Sequence, residues 1–207
     1  MPDGQPGVGR LRLDLRAAQP NHSECRRTWL GPYGRSDGVR FDFFGNGRRE
    51  QLSWTAKGST NAFLALDRSH DGSISGYDLF GNITAQPPCA VDECNGFRAL
   101  AEFDKPENGG NSNGMIDPGD AVWSRLLLWF DQDHNGISEP SELVPLRGWN
   151  ARHPTLAITG FDLHYKQSSF VGVNGNQFRF CALVFGPGAG RVTCDVFLVP
   201  GTPQSQN

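Results

Sequence analysis

Twelve residues, Asp131-Gln-Asp-His-Asn-Gly-Ile-Ser-Glu-Pro-Ser-Glu142, restrict what this chain can fold into more than any other stretch. Side-chain oxygens recur at loop positions 1, 3 and 5, as Asp131, Asp133 and Asn135. Gly136 supplies the sharp turn at position 6, and Ile137 a backbone carbonyl at position 7. Glu139 stands at position 9, where the ion is usually reached through water, and Glu142 closes the loop at position 12. A hard divalent cation takes six to eight oxygens in a flexible shell, and this spacing delivers them, as in the calcium loop of EF-hand type. The segment is therefore expected to bind Ca2+ and to turn sharply between two anchored elements.

Weaker copies of the pattern precede it. In residues 67–78, Asp67, Ser69 and Asp71 take positions 1, 3 and 5, followed by the Ser73 carbonyl, Ser75 and Asp78. Aspartate at position 12 is one methylene short for bidentate closure, which predicts a looser site. Ile74, at position 8, is the apolar residue expected to pair this loop with another. In residues 104–120 six residues interrupt the pattern. With Gly114 as position 6, Asn111, Asn113, Met115 (through its carbonyl), Asp117 and Asp120 follow in order. Asp104 returns as position 1 if the insertion bulges outward. A fourth stretch offers Asp42, Asn46 and Glu50, but Phe44 stands where a second carboxylate belongs. It resembles a compact calcium turn with one carboxylate missing, and an ordinary Asn-Gly hairpin explains it almost as well.

Around these loops the periodicity predicts an α+β fold, with EF-hand-type loops and short helices packed on a small antiparallel β-sheet. Helices are expected over Asn95–Phe103 and over Ala121–Phe130, the latter apolar on every side and so buried. Pro118 is expected to open a helix capped by Asp117. From Leu156 the period becomes two, predicting three antiparallel strands over Ile158–Tyr165, Phe178–Phe185 and Arg191–Val199, with a turn near Asn174-Gly175. Residues 1–36 read as an irregular arm with one possible strand, Leu11–Leu15. Residues 37–199 read as a single module, with its sheet over 156–199, and residues 200–207 as a tail.

Composition sets outer limits. With 37% hydrophobic and 20% charged residues over 207 positions, the chain is a polar globular protein with a real core. A net charge of -3 offers no basis for nucleic-acid binding. No apolar run approaches the ~20 residues of a membrane-spanning helix, and no signal-peptide pattern is visible at the N-terminus. Cys181 and Cys194 flank Gly186–Ala189, so a hairpin there would set them opposite one another within disulfide reach. Cys89 and Cys94 close a short loop and pair in the same way, or all four are small buried hydrophobes. Cys25 is left over. Paired cysteines would argue for an oxidising compartment.

The order of these pieces resembles the calcium-binding EF-hand module of secreted bacterial proteins, related to the self-processing module of RTX-type exoproteins. The resemblance is carried by Asp37-Gly-Val-Arg-Phe-Asp42, Glu50-Gln-Leu-Ser-Trp54, Ala62-Phe-Leu-Ala-Leu-Asp67 and Asp78-Leu-Phe-Gly-Asn82. Asn95-Gly-Phe97, Leu128-Trp-Phe-Asp-Gln-Asp-His-Asn-Gly-Ile-Ser138, Asp162-Leu-His-Tyr165 and Asp195-Val-Phe-Leu198 continue it. It implies export, calcium-dependent folding and, in the RTX relatives, self-cleavage at an Asp-Pro bond upstream of the module. This chain departs there, because Asp117-Pro118 is its only such pair and lies inside a loop.

The expected function is that of a non-enzymatic, secreted or cell-surface calcium-binding module. The alternatives are a calcium-triggered Asp-Pro autoprocessing module and a dockerin-like docking module. Calcium is the expected partner, and another extracellular protein or a cell-surface component remains open. The five histidines are scattered, and no Ser-His-Asp, Cys-His or zinc-ligand spacing is present.

Overall fold

The computed structural model describes residues 8–14, 38–90, 92–172, 175–187 and 191–200. Its strands in chain order are β1 (Val8–Asp14), β2 (Val39–Phe41), β3 (Glu50–Leu52), β4 (Asn61–Ala65), β5 (Met115–Ile116) and β6 (Leu127–Trp129). They continue as β7 (Leu143–Pro145), β8 (Gly160–Asp162), β9 (Lys166–Val171), β10 (Gln177–Phe185) and β11 (Arg191–Leu198). The two α-helices among the described residues are short, α1 (Gly96–Ala101) and α2 (Leu146–Arg152).

This architecture overturns the expected fold class. A curled antiparallel sheet, ordered β5-β8-β10-β11-β1-β4-β6-β7 with β9 also on β10, forms the body. The expected arrangement of helix-flanked EF-hand loops on a small sheet is not what forms. The calcium-type loops are instead connections between antiparallel segments. Residues 131–142 join β6 to β7, which pair through Trp129 and Leu143. Residues 67–78 follow β4 and are closed by a bridge between Ala65 and Leu79. In both, the residue before position 1 donates its N–H to the position-12 carbonyl, Leu66 to Asp78 at 2.9 Å and Phe130 to Glu142 at 3.0 Å. Helices entering and leaving a loop would diverge from one another. These chains close on themselves.

The expected helix over Ala121–Phe130 is a 3-10 turn, Ala121–Arg125, followed by β6. A strand buried on both faces reads as an unbroken apolar run, as a buried helix does. Pro118 opens a turn rather than a helix, so Asp117 caps none. The N-terminal arm is also revised, because β1 lies between β11 and β4 near the middle of the sheet. Leu11 and Leu13 are buried on one face of it, Arg10 and Arg12 on the other. The expected C-terminal strands are present as β8, β10 and β11, with the first reduced to Gly160–Asp162. Leu15, Cys25, Asp37, Asn174 and Ala189 lie outside the described residues.

Both faces of the sheet are covered. Ala62 and Leu64 of β4 join one apolar cluster with Leu11, Phe80, Phe97, Leu128 and Phe197. Phe63 and Ala65 join the other, with Phe41, Trp54, Ile74, Trp129 and Val196. Period-two alternation within a fully buried strand thus feeds two cores at once. Two disulfides, Cys89–Cys94 and Cys181–Cys194, brace the module, and the second links directly opposed residues of β10 and β11.

Candidate metal centre

A buried aspartate at position 1 cannot remain unsatisfied, and the chain after it turns back to supply donors. Asp131 Oδ1 accepts from the Asn135 N–H at 3.0 Å and Oδ2 from the Gly136 N–H at 2.9 Å. The Asn135 side-chain oxygen then accepts from the Ile137 N–H at 2.6 Å. The turn needs left-handed backbone at His134 (φ 67) and Gly136 (φ 70), the latter a conformation glycine adopts without steric cost.

Equivalent bonds recur at the other three stretches, with the position-4 N–H in place of the position-5 one at Asp67. Asp104 receives Asn113 N–H at 3.1 Å and Gly114 N–H at 2.9 Å, and Asn113 receives Met115 N–H at 2.9 Å. Asp104 is therefore at position 1 in space, with residues 105–110 folded out of the loop through the 3-10 turn Pro106–Asn108. Asp67 receives His70 N–H at 2.7 Å and Gly72 N–H at 3.0 Å, and Asp71 receives Ser73 N–H at 2.8 Å. Asp42 receives Asn46 N–H at 3.0 Å and Gly47 N–H at 2.8 Å, and Asn46 receives Arg48 N–H at 2.9 Å. One backbone path is thus written four times.

Closure by the position-12 acid distinguishes them. Glu142 Oε1 accepts from the Gln132 N–H at 2.6 Å. Asp78 Oδ1 does the same from Arg68 N–H at 2.9 Å, and its Oδ2 from Ser75 N–H at 3.0 Å. Asp120 Oδ1 accepts from Asn111 N–H at 3.2 Å and Oδ2 from Asp117 N–H at 2.7 Å. Asp117 in turn holds Gly119 N–H at 2.7 Å and the Asn113 amide at 2.8 Å. Among the described residues the Asp42 turn has no such closure. Glu50 lies exposed in β3, and Phe44, at the missing ligand position, points a partly exposed ring outward. Ser69 donates to its own Asp67 at 3.2 Å.

Among the described residues, one group of three acids gathers tightly enough to share a cation. Oxygen atoms of Asp131, Asp133 and Glu142 lie within 4.8 Å of one another. Asn135 Nδ2 bridges Asp133 and Glu139, each at 2.8 Å, which ties Glu139 to this group. Burial pushes the Asp131 carboxyl above the usual carboxylate range, against the bonds from Gly136, Asn135 and Trp54. Burial raises Glu142 likewise, and the neighbouring Glu139 adds to it. Burial raises Asp120, helped by Asp104 and Asp117. At Asp67 burial raises the carboxyl too, but the bonds from Gly72, His70 and Ser69 outweigh it and hold it low. Glu139 is held low chiefly by the Asn135 amide.

Two residues of this centre escaped the sequence reading. The Trp54 indole donates to Asp131 Oδ2 at 2.5 Å, and the Trp129 indole to Glu142 Oε2 at 3.3 Å. Their rings meet edge-on with centroids 5.6 Å apart, so one aromatic pair holds the first and last acids of the loop from below. Trp129 reads from its neighbours as core alone, and Trp54 lies 77 residues from Asp131. The signal available was that a buried indole N–H requires an acceptor. Arg10 was missed as well. Fully buried, it donates to the carbonyls of Phe43 at 2.8 Å and Gly76 at 3.2 Å, tying the Asp42 and Asp67 turns together. A Cβ on Gly76 would lie 1.7 Å from the Phe43 oxygen, so glycine is required for that approach.

Comparison with known proteins places these features in a wider group. The family model described as SPM domain matches residues 32–190. The chain is also 31% identical over 140 residues to the iron-regulated protein FrpA of Neisseria meningitidis serogroup C. That stretch is 67% of this chain but 11% of the relative, so the chain spans about a tenth of the length of the protein it matches.

Proposed function

The chain belongs to the SPM domain family, and from that premise we propose that it is a calcium-binding, non-enzymatic module of a secreted or cell-surface protein. The observation that carries the reading is the convergence of Asp131, Asp133 and Glu142 within 4.8 Å in a loop whose ligand positions carry oxygen. The residues present suit a hard cation. Glu139 Oε2 is buried with no hydrogen-bond partner among the described residues, an uncompensated acceptor that an ion or its water would satisfy. Asp131, Asp133, Asn135, Glu139, Glu142 and the Ile137 carbonyl would hold Ca2+. Asp67, Ser69, Asp71, Ser75, Asp78 and the Ser73 carbonyl would form a second site. Asp104, Asn111, Asn113, Asp117, Asp120 and the Met115 carbonyl would form a third. Calcium supplies positive charge where partly buried acids repel one another.

The chain's own residues do the rest. Trp54 and Trp129 fix the carboxylates of Asp131 and Glu142 in place before any ion arrives, which lowers the ordering cost of binding. Because β6 and β7 leave the two ends of the same loop, drawing those ends together strengthens the edge of the main sheet. Two disulfides suit an oxidising, extracellular setting, and no helix among the described residues is long and apolar enough to cross a membrane. Isothermal titration with Ca2+ tests the proposal, paired with thermal melts in calcium and in EDTA. The expected results are saturable binding and a higher melting temperature with calcium. Identical melts and no heat of binding would end it.

A further inference from the structure

The Asp42 and Asp67 turns meet in one exposed tip. A Cβ on Gly45 would lie 2.8 Å from Tyr77 Cβ, so the two loops are in contact there. Phe44 is 39% and Tyr77 60% exposed, two aromatic rings held outward by a backbone that Arg10 ties from beneath. Every residue from Phe44 to Glu50 is exposed, which makes the tip a projection rather than a groove. The hairpin also carries Arg40, Arg48 and Arg49, all exposed, and none forms an ion pair among the described residues. Arg40 reaches instead to the Arg49 carbonyl at 3.5 Å. The acids of the same two turns are Asp42, Glu50, Asp67, Asp71 and Asp78.

We propose that this tip docks on an anionic lipid surface when the Asp67 turn holds calcium. The calcium switch in this proposal rests on the function proposed above; the surface itself does not. A bilayer interface is soft and accepts protruding rings at the headgroup level. Arginine forks match phosphate oxygens and are drawn to an anionic leaflet. Without an ion, five carboxylates oppose four arginines, Arg68 of the Asp67 turn included, and the tip repels anionic headgroups. A divalent cation in the Asp67 turn reverses that sign and leaves Phe44, Tyr77 and the arginines as the outer layer.

Co-sedimentation with vesicles tests this directly, comparing phosphatidylcholine alone with an equimolar mixture of phosphatidylcholine and phosphatidylserine. In calcium the chain is expected to pellet with the mixed vesicles only, and EDTA is expected to release it. R48Q/R49Q should weaken binding by about thirtyfold and Phe44→Ser should weaken it too, with unchanged melting temperatures showing that both variants fold. Binding that survives EDTA yet fails in R48Q/R49Q would keep the surface and overturn its calcium switch. Equal binding to both vesicle types, no binding, or binding indifferent to both variants would overturn the proposal. Competition by polyglutamate as effective as the mixed vesicles would overturn it too, and would make an acidic protein segment the partner.

Discussion

The backbone N–H of Ile74 donates to the Ser138 hydroxyl at 2.7 Å, joining the eighth residues of two loops 64 positions apart in sequence. Ile74 and Ser138 are both buried, so neither group can turn to water instead. Ser138→Ala leaves the amide unpaired and is expected to cost ~1–3 kcal/mol. It also removes the direct link between the Asp67 and Asp131 loops. In calcium titrations the two sites should then fill more independently than in the parent, with a less steep curve. A variant of unchanged stability would show that the bond contributes nothing.

The Asp131 loop is expected to bind most tightly, since acids occupy positions 1, 3, 9 and 12 and two indoles hold the first and last of them. Glu142→Gln should lower total calcium affinity more than Asp78→Asn, read by titration calorimetry. Trp54→Phe retains an aromatic ring but removes the donor to Asp131, and a lost outer-shell bond of this kind lowers affinity by about 10–100-fold. A greater loss from Asp78→Asn than from Glu142→Gln would reverse the assignment of the stronger site.

Asp195 gives a pH dependence of definite sign. It is fully buried, accepts from the Gly96 N–H at 2.7 Å through Oδ2, and among the described residues has no hydrogen bond to Oδ1. Burial raises its carboxyl to about 7, against the Gly96 bond and the charges of Arg10 and Arg179. The unfolded value is ~3.9. Between those values the folded state binds the proton and the unfolded state does not, so this group's contribution to stability falls as pH rises from ~4 to ~7 and then levels off. Asp195→Asn keeps an acceptor for Gly96 and should remove that slope. Melting temperatures of both proteins across this range, in constant excess calcium, are the measurement. Parallel curves would show that Asp195 does not titrate there.

The Asp117-Pro118 bond is expected to stay intact. Cleavage by its own carboxylate needs a free Asp117 side chain aimed at its carbonyl carbon, yet its oxygens are engaged by Gly119 and by Asn113. Incubation with calcium for hours should leave one band on a denaturing gel. Two fragments dividing at this bond, abolished by Asp117→Asn, would show that the chain processes itself.

The local loop paths were legible in the sequence, because they depend on residues a few positions apart. Asp131, Asn135 and Gly136 specify a turn by covalent reach alone, and Asp67, Asp71 and Gly72 repeat it. The opposition of Cys181 and Cys194 followed from hairpin geometry in the same way. What joins those loops was not legible. Apolar residues on every side of Ala121–Phe130 satisfy a buried helix and a strand buried on both faces equally, and only the sheet partners of Leu127–Trp129 decide between them. Nor does any short-range rule place Leu11-Arg-Leu between β11 and β4, bring the Trp54 indole to Asp131, or seat Arg10 under two turns. Those positions are set by which surfaces pack, over separations of tens of residues. The turns were therefore decided by sequence, and the half-closed sheet that holds them by tertiary structure.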